Sequence, residues 1–224
     1  MSLISETVAL VKKEFLLEFR LRYMFNAVLV YLAGAIFICY FAFFGRGGDL
    51  SPTTWNALFW IIVLLASVNA ASRSFLLERS SRQYYYYFVA SPGAIILSKL
   101  IYNIVLLVLM SLSGLVLFAF VMGGNVVQDL PMFIGVAIIG AACLAATLTF
   151  IAAIAAQTQH SMTLMAVLSF PVVIPILLVL IKVSKNAIDG LERSLSYQDL
   201  IVLCAVNVIT ITVSYLLFPY LWKN

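Results

Sequence analysis

Six apolar runs, at residues 26–44, 53–77, 93–122, 131–156, 162–181 and 199–222, are long enough to cross a bilayer and carry no charge at their centres. A membrane-spanning helix needs about 20 predominantly apolar residues. Inside lipid every backbone N–H and C=O must find a partner within the protein, so such runs form helices. The chain is 64% apolar and 10% charged, against roughly 45–50% and 25% for a soluble domain. This balance excludes a soluble enzyme, a disordered chain and a disulfide-stapled secreted module. It also leaves no room for a sizeable domain outside the membrane. The fold expected is an all-α integral membrane protein with six transmembrane helices.

Residues 1–25 differ from the rest. Val8, Val11, Phe15, Phe19 and Tyr23 recur at helical spacing, with Lys13, Glu14, Glu18, Arg20 and Arg22 on the other faces. The segment is too charged to span, and its pattern predicts an amphipathic helix in the membrane interface. Residues 26–224 are then the six-helix transmembrane unit. Ser51-Pro52 and Ser91-Pro92 each read as a cap followed by a proline at the first helical position. Ser196 to Asp199 has capping-box spacing before the last span. Lys99 near the start of the third span is expected to snorkel to the interface, and Lys182–Leu195 to form a polar connection.

The few cations set the orientation. With the N-terminus inside, nine fall on the inner side (Lys12, Lys13, Arg20, Arg22, Arg73, Arg79, Arg82, Lys99 and Lys223) and four outside (Arg46, Lys182, Lys185 and Arg193). The positive-inside bias therefore places both termini in the cytoplasm, for a multi-pass protein of a bacterial inner membrane. The net charge of +4 reports this bias and points to no nucleic-acid partner. Cys39, Cys143 and Cys204 lie singly in apolar runs and read as small apolar fillers. No secretory signal pattern precedes the first span.

Carriers driven by ions usually hold an ionisable group at mid-membrane, and none of the six spans does. The milder polar residues Asn69, Asn103, Asn207, Thr147 and Thr149 suit either hydrogen bonding between helices or the lining of a substrate path. The fourth span repeats small residues (Ala141, Ala145; Ala142, Ala146; Ala152, Ala156), which lets neighbouring backbones approach closely. In the fifth span Phe170, Pro171 and Pro175 mark a broken helix. Each proline lacks an N–H and frees the carbonyl four residues earlier, so this stretch is expected to face the bundle interior. It serves as a packing kink or as a hinge beside the path.

The connection after the second span mixes Glu78, Arg79 and Arg82 with Tyr84, Tyr85, Tyr86, Tyr87 and Phe88, then restarts at Ser91-Pro92. An aromatic belt with snorkelling arginines would need neither an acidic head nor a Ser-Pro tail. The stretch reads instead as a docking element for a soluble partner, since Tyr and Arg concentrate interface energy. His160 stands alone in a short loop and reads as solvent-facing. No nucleotide-binding or hydrolytic motif is present. Catalytic residues and metal ligands are therefore expected to be absent, and nucleotide energy must arrive from another polypeptide.

These features together resemble the membrane subunit of ABC-2-type exporters. Residues 75–78, the Ser91-Pro92 start followed by Lys99, and the stretch from Leu168 to Leu178 resemble in particular the haem exporter protein B family of cytochrome c maturation. The resemblance implies a six-span permease working with a cytoplasmic ABC ATPase, which binds the ATP and magnesium. It implies a second copy of the chain, a haem-handling membrane protein and a haem chaperone as partners. The task implied is haem export, or release of the haem-loaded chaperone. Two other readings fit the residues: an exporter of another amphipathic substrate (lipid, drug or polysaccharide), and a membrane scaffold without transport.

Overall fold

The computed structural model describes residues 3–21, 23–44, 50–76, 90–123, 126–156, 158 and 161–222. They form α1 (Leu3–Leu21), α2 (Tyr23–Phe44), α3 (Pro52–Leu76), α4 (Pro92–Met122), α5 (Leu130–Ala155), α6 (Ser161–Ile188), a short 3-10 turn (Arg193–Ser196) and α7 (Tyr197–Trp222). No strand occurs among the described residues. Helices α2 to α7 are the six elements long and apolar enough to cross a membrane, as expected for a membrane permease. The chain is a multi-pass membrane protein. Glu78, Arg79, Arg82, Tyr84 to Tyr87 and His160, singled out in the sequence, lie outside the described residues.

Helix starts follow the local chemistry. Ser51 Oγ accepts from Thr54 N–H at 3.2 Å ahead of Pro52, and Asp129 Oδ1 accepts from Met132 N–H at 3.2 Å at the head of α5. Gly123 ends α4 with φ +91, a conformation that costs a residue with a Cβ.

Helix α5 is the centre of the bundle. It touches α3, α4, α6 and α7. Two-thirds of its span (67%) is buried, against 11% for the last span, which places α7 at the rim. Ala137, Ala141, Ala145, Ala146, Ala152 and Ala153 are all buried. Such small side chains let four neighbours crowd one helix, and van der Waals contact then replaces the hydrophobic driving force that lipid does not supply. The closest approach is at Gly140. A Cβ built there would lie 2.5 Å from Trp60 Cη2 and 2.7 Å from Leu180 Cδ2.

The far end of the bundle, where α4 meets α5, is closed by aromatics. Trp55 sits edge-on to Phe118 (4.9 Å between centroids) and to Phe133 (5.6 Å). Phe59 joins Trp60 at 5.4 Å. Beside them Trp60 Nε1 donates to Ser184 Oγ at 2.8 Å, Ser184 Oγ lies 2.8 Å from Asn56 Oδ1, and Asn56 Nδ2 donates to the Ile181 carbonyl at 2.9 Å. This chain of hydrogen bonds ties α3 to α6 where no water competes.

Three expectations are corrected. Helix α6 does not stop at Ile181 but continues to Ile188. Val183, Ser184, Ala187 and Ile188 keep the helical period on the buried side, while Lys182 and Lys185 face outward. Charge alone had suggested a connection. Lys99 does not snorkel: it is only 3% exposed. Its Nζ donates to the Ser74 carbonyl at 2.8 Å, which ties α4 to the end of α3. The proline stretch neither breaks the helix nor faces the interior. Helix α6 is continuous through Pro171 and Pro175. Both lie on its exposed side with Phe170 (72% exposed), opposite the buried Met165, Ser169, Val173, Ile176 and Leu180. Spacing of four puts two prolines on one face, and here the apolar period assigns that face to the outside.

Candidate functional site

The end of the bundle where α1 and α4 begin and α7 finishes carries one of its two groups of polar contacts. They gather around the two feet of the 77–89 connection, the end of α3 and the start of α4. Pro92 begins α4, and Ser91 stands before it in the cap position with extended backbone. The Ser91 side chain makes no cap bond within its own helix. Its hydroxyl donates to Glu6 Oε2 on α1 at 2.7 Å, and its N–H reaches the same oxygen at 3.2 Å. The Ser91 hydroxyl, then its N–H, hold the Glu6 carboxyl below the ordinary carboxylate range. The depressed value means the contact is complete at neutral pH and is lost only as pH falls through it.

Other elements pin the same helix start. A Cβ on Gly93 would lie 2.8 Å from Tyr215 Cε2, so the α7 ring rests on the α4 backbone. Lys99 holds the α3 foot through Ser74, as above. Ser91 and Pro92 are the described part of the expected docking element; α1 meets α4 at Ser91, α7 at Gly93, and α3 at Lys99 about two turns further on.

The intramembrane polar residues divide. Asn103 is fully buried and donates to Thr149 Oγ1 at 2.9 Å, joining α4 to α5. Asn69 donates to the Leu65 carbonyl of its own helix at 2.9 Å. Asn207 Oδ1 is buried with no hydrogen-bond partner among the described residues. Only the first of these is the bond between helices that the sequence suggested.

Sequence reasoning missed the far-end staple. Arg193 grips Asp129 with Nε and Nη2 at 2.7 and 3.0 Å. Asp129 N–H donates to the Ala187 carbonyl at 3.0 Å, and Lys182 pairs with Asp199 at 2.8 Å. The heads of α5 and α7 and the tail of α6 are thus fastened together. The Arg193 hydrogen bond is the main cause of an Asp129 carboxyl held below its ordinary range. The only available sequence signal was opposite charge in two connections, which does not name the pair.

No group of three His, Cys, Asp or Glu side chains among the described residues is placed to hold a metal ion. Polar ties thus fasten the helices to one another at both ends of the bundle. A family model for the CcmB protein matches residues 5–220, nearly the whole chain. Comparison with curated proteins gave no match.

Proposed function

The chain belongs to the CcmB protein family, and from that premise we propose how it works. It is the haem-exporter permease subunit of the ABC transporter of cytochrome c maturation. In our reading a separate cytoplasmic ABC ATPase binds ATP and magnesium and docks on the element from Glu78 to Pro92. This chain itself catalyses no reaction. Both termini face the cytoplasm from the bacterial inner membrane. A haem-handling membrane protein and a haem chaperone complete the assembly, and haem, or the haem-loaded chaperone, is what the stroke releases. The family match over residues 5–220 carries this reading. Glu6 on Ser91 and the Tyr215 ring on Gly93, which hold the start of α4, support the docking site.

The exposed proline face of α6 supports a second copy of the chain. Pro171 and Pro175 free the carbonyls of Val167 and Pro171, and Val167 is 65% exposed. Carbonyls without partners are costly against lipid but tolerated against protein or a water-lined path. We place the path and hinge along this face, between two copies, with Phe170 at its wall. Asn69 and Asn207 are the polar groups the spans can turn toward it as they shift, while Asn103 stays in the α4–α5 seam on Thr149.

Replacing both prolines by alanine (Pro171→Ala with Pro175→Ala) restores two backbone hydrogen bonds and removes the feature. The expected result is normal insertion and normal co-purification of the ATPase, with holo-cytochrome c clearly reduced, because a lost conformational step limits turnover. Undiminished holo-cytochrome c would remove the path from this face.

A further inference from the structure

Helix α4 is longer than a span requires. Its 31 residues rise about 46 Å at about 1.5 Å each, against a hydrocarbon core of about 30 Å. The surplus belongs to the near end. There lie Ser91, Lys99 and Tyr102 with their polar partners, whereas the far end finishes in Phe118, Phe120, Val121 and Met122.

Helix α1 runs along this surplus. Glu6 meets Ser91 at one end. At the other, Tyr102 OH donates to Glu18 Oε2 at 3.2 Å, and the Phe15 ring stands edge-on to Tyr102 at 5.3 Å. Between them Leu10 packs against the cluster of Ile95, Ile96 and Leu100. From 6 to 18 on α1 and from 91 to 102 on α4 the chain rises by nearly the same length, about 17 Å. The two helices are therefore parallel and in register over three turns. A carboxylate at the first of these contacts also sits at the positive end of the α4 dipole.

We propose that α1 and the first three turns of α4 form one strut, latched by Glu6 on Ser91, which carries displacement of the Ser91-Pro92 start into the bundle. Glu6 is a positioning residue. It holds the α4 start so that a push at the surface moves two helices together rather than tilting one. On its outward face the strut shows Ile4, Val8, Leu16 and Phe19, all more than half exposed, so that face is apolar. This inference rests on the docking reading above.

Two variants test it in the assembled complex with the ATPase. In a chain whose Cys39, Cys143 and Cys204 are alanine, Phe15→Cys and Tyr102→Cys place thiols across the strut for a short bifunctional thiol reagent. A strut that moves as one body keeps its holo-cytochrome c output, within about twofold, when bridged. Helices that must slide past each other lose it on bridging, and that loss overturns the proposal. Glu6→Gln keeps the shape but removes the charge. It should leave ATP hydrolysis and ATPase co-purification in place while holo-cytochrome c formed per ATP hydrolysed falls about tenfold, because charge-assisted bonds are the strong ones. An unchanged ratio also overturns the strut. If Glu6→Gln does not accumulate, the bridging result decides. Failure of the docking reading is separately visible, since the ATPase would then co-purify equally well with the Arg79→Glu, Arg82→Glu chain.

Discussion

Gly140→Val is expected to yield no protein that survives detergent extraction as a monodisperse species. The position has no space for a side chain. A Cβ there would meet Trp60 Cη2 at 2.5 Å and Leu180 Cδ2 at 2.7 Å, and both residues are fully buried. Trp60 cannot swing aside cheaply, because its indole N–H is held by Ser184 and its ring by Phe59. Leu180 sits one turn from Ser184 on the same helix, within the tie that joins α3 to α6. Overpacking a filled site typically costs about 1–3 kcal/mol even for small additions, and a β-branched residue must displace both neighbours. Gly140→Ala should survive with a lowered melting temperature. Leu180→Ala in that background should recover part of the loss, because the flexible leucine end is the contact that can give. Gel filtration and thermal unfolding in detergent read all three. A Gly140→Val protein as stable as the parent would show that α3, α5 and α6 do not meet as described.

Reversing two charges in the connection has the second large effect, on assembly rather than on folding. Arg79→Glu with Arg82→Glu turns two cations of the proposed docking element into anions beside Glu78. Arginines in an interface carry a disproportionate share of its energy, and like charges facing each other suppress docking. ATPase recovered with the variant should fall to about a tenth of the normal amount or less. The spans should remain intact, because the feet of the connection are held from below by Lys99 on the Ser74 carbonyl and by Glu6 on Ser91. The variant should therefore melt at the parent temperature. Equal recovery of the ATPase would remove Arg79 and Arg82 from the docking surface.

Much of the fold was legible in the chain because bilayer thickness imposes a length and lipid imposes helix. The six spans, the Ser-Pro start at Pro92 and the separate N-terminal helix all follow from those constraints. What was not legible depends on tertiary partners. Lys99 looked like an interfacial cation, because a sequence gives no sign that a backbone carbonyl on another helix, that of Ser74, will accept its hydrogen bond. The proline stretch looked inward because its freed carbonyls need partners. The apolar period of Met165, Ser169, Val173 and Ile176 claims the inner face instead. The Glu6–Ser91 and Asp129–Arg193 pairs join residues far apart in the chain. Both acids and both partners are ordinary in composition, so only the arrangement of helices identifies them.

The claim that energy enters this permease from a separate ATPase, for cytochrome c maturation, is tested most directly by holo-cytochrome c in a strain lacking this chain. The strain is given back the chain together with either the active ATPase or one unable to hydrolyse ATP. We expect holo-cytochrome c to be absent from the deletion strain, restored with the active ATPase and absent with the inactive one. Full restoration with the inactive ATPase, or normal holo-cytochrome c without the chain, would contradict the account.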